Sequence, residues 1–207
     1  MSNSPSRSSA VAAVLLAAGA SRRFGSGNKL LARIDGEPLI RRVAARLIAC
    51  ALDDIVVVTG PEPDKIAAAL EGLPVRYVHN SEHARGMGRS IATGIAALDA
   101  DALGALVCLG DMPGVTVSSI RLSIARFEQT GRSRIVYPCD HAGRQGHPVL
   151  WPRTLFTDLS RLDGDRGGKS LIADRPDRSE PVAVDDPGIF MDVDTQEDLA
   201  AGRRKGA

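Results

Sequence analysis

Short apolar runs of β type that alternate with longer segments of helical period constrain this chain more than any other feature. The runs are Ala13 to Leu16, Ile55 to Thr59, Val75 to His79, Ala105 to Leu109 and Ile135 to Tyr137. Strands that alternate with helices call for crossover units around a mostly parallel sheet. After Pro38, Leu39, Ile40, Val43, Leu47 and Ile48 recur at helical spacing with Arg41, Arg42 and Arg46 on the other side, so this helix packs one face on the sheet. Thr116 opens another helix, Thr195 and Asp198 have the spacing of a capping pair at the start of the last one, and Gly131 and Gly202 mark helix ends.

After Tyr137 the rhythm breaks. Gly146-His147-Pro148-Val149-Leu150 and Val182 to Asp185 read as strands without regular crossovers, an antiparallel addition to the sheet. No internal repeat, linker or second core interrupts the 207 residues, of which 43% are hydrophobic. The expectation is therefore one α/β domain over residues 11–207, a three-layer α/β/α structure with ligands at the carboxyl ends of the strands. Residues 1–10 are Ser-rich and read as a disordered tail. The run Val11 to Ala20 has the look of a signal-peptide centre, but it is too short to cross a bilayer and leads straight into a Gly- and Arg-rich loop.

Charge excludes several partners. With 26 basic and 25 acidic residues the net charge is +1, so no summed field favours nucleic acid or an anionic membrane, and any anion must be held by a local cluster. Cys50, Cys108 and Cys139 are odd in number and in no paired motif, which suits a reducing cytoplasm, and Cys108 lies in an apolar run as a core residue would.

Local clusters exist at two strand ends. The first strand runs into Leu16-Ala17-Ala18-Gly19-Ala20-Ser21-Arg22-Arg23-Phe24-Gly25-Ser26-Gly27-Asn28-Lys29. Small residues let backbone N–H groups approach an anion, and Arg22, Arg23 and Lys29 add the charge to neutralise a triphosphate. The bland alternative is a flexible turn with solvated charges. The segment has neither the Gly-x-x-x-x-Gly-Lys-Ser/Thr nor the Gly-x-Gly-x-x-Gly pattern. The fourth strand ends in Gly110-Asp111-Met112-Pro113, where a strand-tip carboxylate is suited to hold a phosphate-bound Mg²⁺. An Asp that merely starts a turn is the alternative.

Together these segments resemble the MobA-like NTP transferases, and within them the molybdenum-cofactor cytidylyltransferases. The likeness extends through Gly86-Met87-Gly88-Arg89-Ser90, Gly146-His147-Pro148, Gly164-Asp165-Arg166-Gly167 and Asp192-Val193-Asp194-Thr195-Gln196-Glu197-Asp198-Leu199. Phe24 stands where Met is common, and Asn28 makes the loop one residue longer before Lys29. The resemblance implies a Rossmann-like sheet of the nucleotide-diphospho-sugar transferase type and a Mg²⁺-dependent transfer of CMP from CTP to the phosphate of molybdopterin. It also implies a molybdoenzyme as the recipient of the product. Ala17, Ala18 and Gly19 would lie against base and sugar, with Arg22, Arg23, Lys29 and Asp111 on the phosphates. Guanylyl-transferring relatives typically have Gly where Ala18 stands, hence the cytidylyl expectation.

The same resemblance makes Asn80 and Ser90 nucleoside-side contacts, although Asn80 is equally a turn former. Asp192 or Asp194, two apart on one strand face, would supply a second carboxylate to the metal, with Asp192 preferred. His147, Asp165 and Arg166 would meet the acceptor; a structural histidine and a surface loop are the plain alternatives. His79-Asn80-Ser81-Glu82-His83 matches His-x-x-Glu-His, but Asn, Ser and nearby Gly after a strand argue against the helix that zinc chemistry needs. Two other classes stay open. One is an oxidoreductase of the related dye and nicotine-derivative group, and the other is a non-catalytic carrier of the nucleotide-modified cofactor.

Overall fold

The computed structural model describes residues 11–204 except 22, 23, 26 and 166, with the backbone alone for residues 201–204. The proposed tail, residues 1–10, lies outside the described residues. The chain begins in strand β1 (Val11–Ala17), all seven residues of which are buried. A two-stranded ribbon, β2 (Arg33–Ile34) and β3 (Glu37–Pro38), leads into α1 (Leu39–Ala49). Then follow β4 (Ile55–Thr59), α2 (Pro63–Ala69), β5 (Arg76–His79), α3 (Met87–Ala96), β6 (Gly104–Leu109) and α4 (Val117–Gln129). The remainder is β7 (Ile135–Cys139), β8 (Val149–Pro152), α5 (Phe156–Leu159), α6 (Lys169–Ala173), β9 (Ser179–Ala183) and α7 (Gln196–Arg204).

The principal sheet has seven strands in the order β5-β4-β1-β6-β8-β7-β9. Side chains alternate along β1, and each set joins a different core. Ala13, Leu15 and Ala17 pack with Ile40 and Leu47 of α1, Ile66 of α2 and Phe127 of α4. Val14, Leu16 and the following Ala18 pack with Ile91 and Ile95 of α3, Leu159 of α5 and Ile172 of α6. Helices thus cover both faces and the sheet is the middle of three layers. α3 lies flush because Gly94 faces it: a Cβ there would fall 2.9 Å from Val58 Cγ2 and closer still to Val14.

The chain turns one way from β1 to β4 and β5, and lays β6 on the other side of β1. A crevice at such a reversal, at the carboxyl ends of parallel strands, is where open α/β sheets bind ligands. Three sequence expectations need correction. The antiparallel addition is a single strand, β8, inserted between β6 and β7, whereas β9 pairs parallel to β7. The strand expected from Gly146 starts only at Val149, since Pro148 has no N–H for a ladder and the His147 amide is spent on Ile189 O at 2.9 Å. Helix α7 continues past Gly202 to Arg204, because a single interior glycine costs only about 1 kcal/mol. Its start is as expected: Asp198 N donates to Thr195 Oγ1 at 3.1 Å, and Thr195 N donates to Asp198 Oδ2 at 2.8 Å.

Candidate active site

The loop after β1 is folded on itself by side chains. Ser21 has φ 51, and its hydroxyl oxygen accepts from Lys29 N at 3.0 Å. Asn28 Oδ1 accepts from Leu30 N at 3.0 Å, capping the 3-10 turn Lys29–Leu31. Buried Leu30 anchors that turn and Lys29 points its ammonium into the crevice. The extra residue of the loop is therefore a cap that fixes the direction of Lys29. Phe24 is buried with Ile34, Leu39, Val193 and Leu199, so it ties the loop to the C-terminal segment.

From β6 comes Asp111. Gly110 N donates to Leu16 O at 3.0 Å, and a Cβ on Gly110 would fall 2.8 Å from that oxygen, so the tip of β6 and the end of β1 touch backbone to backbone. The segment Asp192 to Asp194 is not the expected strand; it is fastened alongside by Val193 N, which donates to Asp111 O at 2.9 Å, and it brings Asp194 rather than the preferred Asp192 against Lys29. Lys29 Nζ lies 2.6 Å from Asp111 Oδ2 and 2.7 Å from Asp194 Oδ1. Both oxygens sit within 2.7 Å of one nitrogen, so they are at most about 5.4 Å apart, and a small closure would bring them within about 4.2 Å, the span of one Mg²⁺ ion. Burial works against the charge of Lys29, but Asp111 and then Asp194 outweigh it and hold its pKa above the ordinary lysine value. Asp111 Oδ1 is buried and has no hydrogen-bond partner among the described residues.

These groups line a cavity of about 500 Å³ with Leu16, Ala18, Gly19, Ser90, Asp165 and Asp192. The expected residues Lys29, Asp111, Ala18, Gly19, Ser90, Asp165, Asp192 and Asp194 are thus brought together. Two others are not. Ala17 turns its side chain into the core on the opposite face, as its neighbour Ala18 takes the crevice side. Asn80 is 3% exposed, is not part of the cavity's lining, donates to Ser90 Oγ at 3.0 Å and accepts from Glu82 N at 3.0 Å, the bonds a turn former makes. Arg22, Arg23 and Arg166 lie outside the described residues. His79 sits in β5 and His83 in a separate 3-10 turn, so the His-x-x-Glu-His match has no helical face.

A second, wider groove of about 930 Å³ adjoins the first and shares Met87, Leu109, Asp165 and Asp192 with it. His147 lies there, its Nδ1 buried without a partner among the described residues, and burial followed by nearby Lys169 pushes its pKa below the ordinary value. The groove also holds Arg144, Trp151, Lys169 and Phe190. The Arg144 guanidinium stacks 3.6 Å over the Phe190 ring. Of these, the sequence reading missed Arg144, Trp151 and Phe190. Trp151 is the sole tryptophan of the chain, but nothing in the periodicity separates a tryptophan flooring a groove from one in a core.

Among the described residues no group of three His, Cys, Asp or Glu is arranged to hold a metal unaided. Mg²⁺ asks less, since one or two carboxylates plus substrate oxygens complete its shell. Asp111 with its open Oδ1, and Asp194 across Lys29, fit that requirement.

The three-layer architecture, with its cavity at the β1/β6 reversal, is that of the nucleotide-diphospho-sugar transferase fold. Residues 13–181 match the MobA-like NTP transferase domain, and the chain belongs to that family. It is 29% identical to nicotine blue oxidoreductase of Paenarthrobacter nicotinovorans over 91% of this chain and 94% of that protein. It is 36% identical to a probable molybdenum cofactor guanylyltransferase of Haloferax mediterranei over 56% of this chain and 55% of that protein, so this match spans about half of each. It is also similar to the crystal structure of Rv0371c of Mycobacterium tuberculosis H37Rv in complex with manganese. That likeness has a TM-score of 0.75 and 26% identity, covering 95% of this chain and 99% of the other.

Proposed function

We propose that this protein is a cytoplasmic, Mg²⁺-dependent cytidylyltransferase that moves CMP from CTP to the phosphate of molybdopterin, releases pyrophosphate and passes the product to a molybdoenzyme. The observation that carries this is Lys29 between Asp111 and Asp194, in a cavity that opens into a groove with His147, Arg144 and Lys169. Among the described residues no helix is long and apolar enough to cross a membrane, in keeping with that setting.

The acceptor phosphate carries an ionised oxygen at neutral pH, so no general base is needed. That oxygen bonds to the α-phosphorus as the bond from α-phosphorus to the bridging oxygen breaks, and pyrophosphate leaves with the electron pair. Asp111 with Asp194 would hold Mg²⁺, which when bound neutralises charge on the phosphate oxygens. Lys29, and Arg22 and Arg23 from the same loop, would stabilise charge on the α-phosphoryl and the departing pyrophosphate. Arg144, stacked on the half-buried Phe190, and Lys169 would orient the acceptor phosphate, with buried Trp151 supporting the groove from the core. Asp165, shared by both cavities, and Arg166 would border the acceptor, and His147, uncharged at neutral pH, would meet it from the groove wall. Ala18 lines the cavity where the guanylyl-transferring relatives typically have Gly, and its methyl is what supports CTP over GTP.

The test is pyrophosphate release with each of the four NTPs, with and without molybdopterin. Release with CTP and molybdopterin together is expected, and no release with any NTP would sink the proposal. The full-length likeness to nicotine blue oxidoreductase favours a second reading, reduction of a planar heterocycle in the wider groove. NAD(P)H consumption with such a dye, and no pyrophosphate release, is the result that would decide for it.

A further inference from the structure

We propose that Lys29 holds the place of the metal in the free protein, and that the nucleotide opens the metal site by drawing this lysine away. The inference rests on the metal-dependent reading above and goes beyond it by setting the order of binding.

The Lys29 ammonium lies 2.6 Å from Asp111 Oδ2 and 2.7 Å from Asp194 Oδ1. A Mg²⁺ ion held by the same oxygens would sit at about 2.1 Å from each. Two cations cannot share the gap between one pair of oxygens that is at most about 5.4 Å wide. The main chain that carries both carboxylates is pinned, and the lysine has the longer stem. Val193 N holds Asp111 O at 2.9 Å, and Asp194 N donates to Asp198 Oδ2 at 3.1 Å. Lys29 carries its charge on a flexible four-carbon stem. Asp111 Oδ1, buried and without a partner among the described residues, is the ligand atom the lysine leaves open.

A triphosphate in the cavity competes for the ammonium, and once the lysine turns to it the acids need another cation. Nucleotide and metal therefore bind with positive coupling, and by linkage each raises the affinity of the other by the same factor. Without nucleotide the site resists divalent metal, through neutralisation of the carboxylates by Lys29 rather than through their mutual repulsion.

The experiment measures Mn²⁺ binding to the full chain by electron paramagnetic resonance of free Mn²⁺, with and without the non-hydrolysable α,β-methylene analogue of CTP. For the unaltered protein, weak binding of Mn²⁺ alone and tight binding with the analogue are expected. Lys29→Gln should bind Mn²⁺ alone about tenfold tighter or more, a change of about 1.4 kcal/mol. Its coupling between nucleotide and metal should shrink accordingly. Adding Asp111→Asn to Lys29→Gln should abolish the gain, which places the metal at this site. Lys29→Met, which keeps the length of the stem, repeats the measurement if the glutamine variant unfolds. Unchanged Mn²⁺ affinity in both lysine variants, with nucleotide-dependent binding intact in the unaltered protein, would overturn the exchange and leave the metal-dependent reading standing. Failure of the unaltered protein to bind Mn²⁺ even with the analogue would overturn both.

Discussion

Asp111→Asn separates charge from shape at the centre of the site. The carboxylate is 18% exposed and its Oδ2 lies 2.6 Å from Lys29 Nζ. The amide keeps the size but removes the negative charge that the metal requires and that Lys29 is set against. Removing one preorganised charged group from a phosphoryl-transfer site costs about 3 to 4 kcal/mol, or roughly two to three powers of ten in kcat/KM. The fold has little to lose. The backbone bonds that place this tip, Gly110 N to Leu16 O and Val193 N to Asp111 O, do not involve the side chain. Lys29 retains Asp194, so its ammonium is not stranded. The expected penalty on stability is about 1 to 2 kcal/mol, within a total of roughly 5 to 15. Initial rates of pyrophosphate release against CTP concentration, beside a thermal melt followed by circular dichroism, read both quantities. A variant that melts near the parent temperature and keeps kcat/KM within about threefold would refute the assignment of Asp111 to the metal.

Lys29→Ala should lower kcat/KM by a few powers of ten, about 3 to 4 kcal/mol, with the fold retained. Activity within about threefold of the parent would transfer the phosphate role to Arg22 or Arg23. CTP should exceed GTP in catalytic efficiency, and Ala18→Gly should narrow the difference; equal efficiency of the parent with both nucleotides would dispose of the cytidylyl assignment alone. Asp186, 7% exposed, accepts from Thr116 N at 2.9 Å, Thr116 Oγ1 at 2.8 Å, Ser119 Oγ at 2.7 Å and Gly188 N at 2.9 Å. Asp186→Ala leaves these donors buried and unpaired and should cost about 3 to 5 kcal/mol by urea denaturation; a loss under about 1 kcal/mol would show that water replaces the carboxylate. Burial alone would raise the Asp186 pKa, but its hydrogen bonds prevail and hold it below the ordinary value. Its stabilisation is therefore complete above the unfolded carboxylate pKa, about 3.9, and declines as pH falls through the lower folded value, a decline the Asp186→Ala variant should lack in acid titrations.

The parallel half of the molecule was legible because its strands are uninterrupted apolar runs. Ile55 to Thr59 is a strand with those limits, and Ala105 to Leu109 differs from β6 by one residue. The last third was not, since its structure is decided by contacts distant in sequence. β8 takes its place by pairing with β6 and β7 on either side, and β9 stops at Ala183. A few residues on, Asp186 joins the N-terminus of α4. The site shows the same division. Lys29 and Asp111 announced themselves through residue chemistry, and the two later acids through the family resemblance. Asn80 did not declare one role, because a turn-forming asparagine and a ligand-binding one have the same sequence signature; its bonds to Glu82 N and Ser90 Oγ are those a turn former makes. The link between Lys29 and Asp194 was not legible either: it spans 165 positions and depends on Phe24 and Val193 packing in one small core.

The distribution of charge at the junction of the two cavities bears on how the substrates meet. Asp165 and Asp192 belong to both linings, and Asp111 and Asp194 stand just inside the first. A nucleoside triphosphate and an acceptor phosphate are both anions, so each approaches a boundary of its own sign. The chain as a whole, at a net charge of +1, supplies no compensating field. Compensation must be local, and among the described residues it comes from Lys29 on one side and from Arg144 and Lys169 on the other. On the proposed exchange, Lys29 would stay with two of the acids until a nucleotide arrives, and the junction would admit the acceptor phosphate only after the triphosphate had brought a divalent cation with it. Acidic lining that would be a liability in a simple phosphate-binding pocket would then set an order: nucleotide and metal first, acceptor second. Initial-rate kinetics with CTP and acceptor varied together should accordingly show intersecting lines, and a dead-end analogue of the acceptor should inhibit uncompetitively against CTP. A ping-pong pattern of parallel lines would contradict this order and require a covalent nucleotidyl intermediate.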